Sequence, residues 1–205
     1  MMNQNISEKD YKTLYDFFVL IAPISQEQFR SIKLCLKKKN YQKGDSILKS
    51  GQIETRSNFV IKGVVHQFIY DNNVAVSTNI TPKGLVFNSI KSYVEGSPSL
   101  EVQEAITDVE LLYIEKKDME RLAMESHQIS YLLYKIHENI LLDRENRMFL
   151  LQSRSPAKRY ALFHEIVFRS NWLLEDTPDK YIASYLNMTP QQYSKEKSKV
   201  GKSKK

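Results

Sequence analysis

The sequence predicts an α+β chain: a jelly-roll β-sandwich first, then a long helix, then an all-α unit ending in a helix-turn-helix. Three observations predict it. Residues 41 to 115 alternate or run apolar in short stretches, with glycines at 44, 51, 63, 84 and 96 between them, as turns joining strands require. Residues 117 to 151 switch to a helical period. The last quarter repeats one start signal three times, Ser155-Pro156, Thr177-Pro178 and Thr189-Pro190. A hydroxyl that caps, followed by a proline that needs no N–H, opens a helix.

The first 40 or so residues read as helical. Ser25 with Gln28 forms a capping box, and Ile24 can staple onto Phe29, which predicts a helix over 26–38. Cys35 falls among its apolar residues and is expected to be a buried structural thiol. As the only cysteine, it excludes an intrachain disulfide framework and a cysteine metal or iron–sulfur site.

In the β-like region, VVHQFIY (64–70) and VAVSTNI (74–80) flank DNN (71–73) and predict a hairpin. EVQEAI (101–106) and VELLYIE (109–115) flank the turn signal Thr107-Asp108. Many short strands so punctuated indicate a sandwich or barrel of the jelly-roll sort. In 117–151 the apolar stripe is Ile129, Leu132, Leu133, Ile136, Ile140, Met148 and Leu151, interrupted at Asp143, Arg144 and Arg147. It predicts a helix that pairs two chains, the competing reading being packing against the chain's own β domain.

The proline signals predict helices over 156–169, 178–186 and 190–199. Thr189 with Gln192 completes a second capping box. Only Asn187 and Met188 separate the last two helices before that cap, the spacing of a helix-turn-helix. Ile182, Ala183, Leu186, Met188, Tyr193 and Val200 are expected inside. Gln191, Ser194, Lys195 and Lys199 are expected outside, where glutamine suits adenine and lysine suits guanine or phosphate.

Charge supports that assignment. The chain has 205 residues and a net charge of +6, and from Arg154 onward there are 11 basic against 5 acidic residues. The 19 basic and 19 acidic residues before it cancel, so all the net positive charge lies where a phosphate backbone would be met. No apolar run is long enough to cross a membrane, and MMNQNISEKD lacks a signal-peptide layout. A cytoplasmic protein is expected. No P-loop, G-x-S-x-G, H-E-x-x-H or dinucleotide fingerprint is present, so no enzyme, metal or cofactor is expected. His66, His127, His137 and His164 show no ligand spacing.

YIASYLNMTPQQYSKEKSKV (181–200) resembles the YIASYLGITPETLSRIR pattern of Crp/Fnr-family transcription regulators, in the branch common among Bacteroidetes. Gly44-Asp45 through Gly51 and FVIKG (59–63) resemble the early strands of that family's cyclic-nucleotide-binding-type β-roll. VQEAITDVELLYIEKKDMERL (102–122) resembles its closing strands and the start of its dimer helix. The resemblance implies a cyclic-nucleotide-binding-like β-roll with N-terminal helices over 1–116, a dimerisation helix over 117–152 and a helix-turn-helix domain over 153–205. It implies a homodimer on double-stranded DNA, with Thr189, Gln191, Gln192, Ser194, Lys195 and Lys199 at the interface, and a small-molecule effector. Lys195-Glu196-Lys197 stands where the family has Arg-Ile-Arg, which weakens guanine reading.

Cyclic-AMP-binding members carry a Gly-Glu pair and, about a dozen residues on, an arginine for the phosphate. Asn88-Ser89 stands at the pair and Leu100 at about the arginine position. Without a guanidinium the phosphate lacks its countercharge, so cyclic AMP is not the expected effector. Asn88, Ser89 and Ser99 are the candidate polar lining of whatever pocket remains. The alternative is a relative that keeps the fold as a ligand-binding or protein-interaction module without reading DNA.

Overall fold

The computed structural model describes residues 6–167 and 170–202. Helices α1 (Glu8–Ile21) and α2 (Gln26–Cys35) lead into strands β1 (Lys37–Tyr41), β2 (Ser46–Leu48), β3 (Arg56–Lys62), β4 (Val64–Asp71), β5 (Val74–Pro82) and β6 (Val86–Phe87). A short helix α3 (Ile90–Glu95) precedes β7 (Val102–Ala105) and β8 (Val109–Glu115). The rest is helical: α4 (Lys116–Glu125), α5 (His127–Gln152), α6 (Pro156–Ile166), α7 (Ser170–Asp176), α8 (Asp179–Tyr185) and α9 (Pro190–Lys202).

The strands form two antiparallel sheets, ordered β1-β8-β3-β6 and β2-β7-β4-β5. Period-two alternation gives each sheet two apolar faces to bury. Tyr41, Val60, Val65, Phe87, Ala105, Val109 and Leu111 fill the space between the sheets. The outer face of the first sheet, through Phe59, Leu112 and Ile114, is covered by Leu14, Phe18, Phe29 and Ile32 of α1 and α2 and by Ile129, Leu132 and Ile136 of α5. The outer face of the second sheet, through Val64, Ile80 and Ile106, shares a core with Leu150, Phe163, Leu173, Ile182 and Tyr185 of the C-terminal helices. Each such aliphatic side chain taken fully out of water contributes about 1.5–3 kcal/mol.

Two turns depend on backbone freedom. Asn72 and Asn73 join β4 to β5 with φ of 48° and 64°, the left-handed pair that a tight hairpin needs. Gly63, at φ +85°, carries the chain from one sheet to the other. A Cβ there would lie 2.2 Å from the Asp108 carbonyl oxygen, so only glycine fits.

The expected cap of α2 forms, with Ser25 accepting from the Gln28 N–H while the Gln28 side chain accepts from the Ser25 N–H, and Ser7 makes the same kind of box with Asp10 at the start of α1. Several expected boundaries move. The helix expected over 26–38 ends at Cys35, because Lys37–Tyr41 pair along β8 from Tyr113 to Val109. A ladder of backbone hydrogen bonds overrides the local helical tendency of the lysine run. Cys35 is half-buried rather than buried; its sulfur accepts from the Arg121 guanidinium at 3.2 Å, and burial pushes the thiol up.

The helix expected over 117–151 is two helices broken at Ser126, whose backbone is extended. Ser126 closes α4 through its N–H to Leu122 O and opens α5 by accepting the Ile129 N–H on its hydroxyl. The predicted stripe packs against the chain itself, Ile129, Leu132, Leu133, Ile136 and Ile140 on the core outside the first sheet and Leu151 on the C-terminal core, and of its seven residues only Met148 is exposed. Ser155 caps α6 as expected, with Pro156 in its first turn. The helix expected over 156–169 ends at Ile166; its positions 168 and 169 lie outside the described residues. Helix α7 has no hydroxyl-proline start signal and adds to the three expected helices. Pro178, not Thr177, caps α8, and the buried Thr177 hydroxyl has no partner among the described residues.

Candidate functional site

The C-terminal corner is built from the chain upward. Asn187 takes φ 50°, which turns the backbone so that the Asn187 N–H donates to Ser184 O and the Met188 N–H to Ala183 O, at 3.0 and 2.9 Å. A guanidinium N–H of Arg159, from α6, donates to the outward Asn187 carbonyl at 2.8 Å. Ile182, Ala183, Leu186, Met188 and Tyr193 are all buried, as the apolar pattern predicts. The side chain of Val200 lies outside the described residues. The Thr189–Gln192 box forms in both directions, with Thr189 N–H to Gln192 Oε1 at 3.0 Å and Gln192 N–H to Thr189 Oγ1 at 3.2 Å.

With its apolar side spent on the corner, α9 turns its other side outward. Thr189, Gln191, Gln192, Ser194, Lys195 and Lys199 are all exposed. Pro190, Gln191, Ser194, Lys195 and Ser198 line one open, shallow face, spaced as neighbours on a helix surface. The lysines there differ in freedom. Lys197 donates to both Asp179 oxygens, at 2.7 and 2.9 Å. Lys199 donates to Glu196 at 2.7 Å, and the Glu196 side chain is only 12% exposed. Glu196 is therefore turned toward the protein and neutralised. Lys195 makes no ion pair among the described residues.

The sensor candidates do not form one lining. Ser89 and Ser99 are buried and share a hydrogen bond between hydroxyls of 2.9 Å. Asn88 instead borders an apolar cavity of about 70 Å³ outside the first sheet, with Phe18, Phe59, His137 and Ile140. Leu100, placed by sequence at the arginine position, is 70% exposed; the inward residue opposite Ser89 is Ser99. No guanidinium enters there by either alignment.

Nothing in the sequence signals the polar cluster around that pair. Glu54 is 4% exposed. Its carboxylate accepts from the Gln103 amide at 2.9 Å, the Arg56 N–H at 3.0 Å and the Ser89 N–H at 3.4 Å. Burial outweighs the pull of these donors and of the Arg56 charge, so the carboxyl is held above the ordinary carboxylate range. Gln67, fully buried, donates to Asn88 O at 3.1 Å and accepts from Asn79 at 2.8 Å. On the other face of the same strands, His66 stacks on Phe68 and meets Tyr181, so it is a packing residue. Arg147, read as an interruption of the helical stripe, donates to Ser77 O at 2.7 Å and to Tyr185 O at 3.1 Å.

A two-sheet β unit, the helices α4 and α5 and the C-terminal helical corner follow in that order along the chain. Among solved structures the chain is similar to FixK2 from Bradyrhizobium japonicum, at a TM-score of 0.66 and 20% identity over 82% of this chain and 85% of that one. It is also similar to a putative cAMP-binding regulatory protein from Silicibacter pomeroyi, at 0.64 and 16% over 94% and 88%. The catabolite activator protein of Thermus thermophilus matches at 0.55 and 16% over 90% and 87%. No protein-family model and no curated protein matches the chain. At these identities the shared property is the fold.

No described helix is long and apolar enough to cross a membrane. No group of three or more His, Cys, Asp or Glu among the described residues is placed to hold a metal ion.

Proposed function

We propose that the chain is a cytoplasmic, dimeric, DNA-binding transcription regulator of Crp/Fnr type, of the branch common among Bacteroidetes, and not an enzyme. The observation that carries this reading is α9. Its apolar side locks a fully capped corner, and its free side presents Gln191, Ser194, Lys195 and Ser198 in one row. That is what a helix needs to enter a major groove. Thr189 and Gln192 set its first turn, and Lys199 reaches phosphate by exchanging Glu196 for it. The units over 1–116, 117–152 and 153–205 serve as sensor, dimerisation segment of two helices and DNA-binding unit.

Dimerisation rests on the exposed side of α5 from Tyr134 onward. Tyr134, Leu141 and Met148 recur every seven residues with Leu142 and Phe149 beside them, and each is at least 50% exposed. A seam of this period on a helix pairs with a second copy. The paired α9 helices then meet pseudo-palindromic DNA about one turn apart.

Selection of bound fragments from the source genome tests the reading: enrichment of a two-fold-symmetric site supports it, and no enrichment over bulk DNA defeats it. One observation favours the competing reading, a fold retained as a ligand-binding or protein-interaction module. Two of the three lysines in 195–199 are held by Asp179 and Glu196.

A further inference from the structure

We infer that the sensor cassette carries its own anion: the Glu54 carboxylate occupies the polar site that an effector's acid group would take. The inference rests on reading residues 84–100 as a ligand cassette of the regulator fold, and it adds the regulation of that site. The segment before β3 is laced to the middle and the end of the cassette. The Gly51 N–H donates to Ser99 O and the Ser99 N–H to Gln52 O, each at 2.8 Å. Ile53 bridges Pro98, and the Glu54 N–H donates to the Ser92 hydroxyl at 2.9 Å.

From this strap the Glu54 side chain reaches inward, and its carboxylate accepts three hydrogen bonds. The Ser89 and Arg56 N–H groups and the Gln103 amide converge on its two oxygens. Three donors around a buried carboxylate make an anion cradle. The far side of the site is closed too, because Ser89 and Ser99 satisfy each other. These donors offset part of the cost of burying that charge, and burial still holds the Glu54 carboxyl above the ordinary carboxylate range. An incoming phosphate or carboxylate would have to displace Glu54 and find no arginine in its place.

The cradle is therefore a site for a carboxylate-sized anion, filled in the wild-type chain and vacant when Glu54 is removed. Thermal unfolding of the full chain tests it, with Glu54→Ala and wild type in sodium acetate, sodium formate or sodium chloride at equal ionic strength. The expected result is a melting point several degrees lower for Glu54→Ala, raised again by acetate or formate at tens of millimolar but not by chloride. The wild type shifts with none of these, nor with cyclic AMP. A folded Glu54→Ala protein that acetate and formate fail to stabilise overturns the inference. So does a wild type that acetate or cyclic AMP stabilises.

If Glu54→Ala does not fold, amide exchange of Glu54→Gln decides. That variant keeps the shape but turns an NH2 group toward donors, so faster exchange at the Ser89 and Arg56 amides is expected. Unchanged exchange at both defeats the inference. None of these measurements involves DNA, so their failure leaves the regulator reading standing, and a failed DNA selection leaves the cradle standing.

Discussion

Ser77 of the second sheet and Ser184 of the helix-turn-helix meet directly: their hydroxyls are 2.8 Å apart, and the Ser77 N–H donates to the same Ser184 oxygen at 3.2 Å. Arg147 closes the joint from α5, with its guanidinium on the Ser77 and Tyr185 carbonyls and over the Tyr185 ring at 4.6 Å. Removing it leaves both carbonyls without that donor in a half-dry place. Arg147→Ala is expected to cost about 3 kcal/mol of unfolding free energy in urea titration. Arg147→Lys should recover little of it, because one ammonium cannot span both acceptors.

The joint also responds to pH. The His66 ring nitrogen Nε2 lies 2.7 Å from the Ser77 hydroxyl. Burial, with the Lys180 charge adding to it, lowers the pKa of His66 from 6.5 to about 4. Between those values the unfolded chain binds a proton that the folded chain refuses. Stability therefore rises with pH across that window, by about 3 kcal/mol at most, and below about 4 the loss is complete. Urea midpoints at pH 4.5, 5.5 and 7 should show this slope, and His66→Phe should flatten it.

At the crossing between sheets, Gly63→Ala puts a methyl 2.2 Å from the Asp108 carbonyl and 2.6 Å from the Thr107 hydroxyl, at φ +85°. Backbone must move, and about 3 kcal/mol of destabilisation is expected. A melting point equal to wild type would contradict so close an approach of the two chain segments.

Thr189→Ala removes half of the reciprocal box that opens α9. A loss of about 1 kcal/mol is expected in thermal unfolding. Because the same turn presents Gln191, DNA affinity should fall more than stability does.

Salt dependence separates the lysines. Lys195 makes no ion pair among the described residues, whereas Lys197 and Lys199 are held by carboxylates. Lys195→Ala should lower the slope of log affinity against log salt by about 1 per protomer. The same change at Lys197 should lower it less, since its release from Asp179 offsets part of any phosphate contact.

What is legible in the sequence is what is local. The boxes at Ser25–Gln28 and Thr189–Gln192, the Asn72-Asn73 turn and the left-handed Asn187 each involve residues within a few positions of one another. What stays hidden depends on partners far along the chain. The KKKNY strand is almost wholly polar and is held by β8 and by Lys38 reaching Asp10 and Glu110. Glu54 looks like a surface residue until Gln103 and Ser89, many residues away, close on it. The break at Ser126 is hidden because the apolar positions continue across it. The resemblance supplies the order of the parts; Leu100, which it sets at about the arginine position, is exposed, and the buried residue beside it is Ser99.

The core shared by Val64, Ile80 and Ile106 with Leu150, Phe163 and Ile182 has a practical consequence. Cutting the chain near residue 153 would strip an oily floor from one piece and its matching roof from the other. Neither fragment would be a clean part for exchange. A chimera that grafts this C-terminal unit onto a foreign β unit would have to carry the outer wall of the second sheet with it.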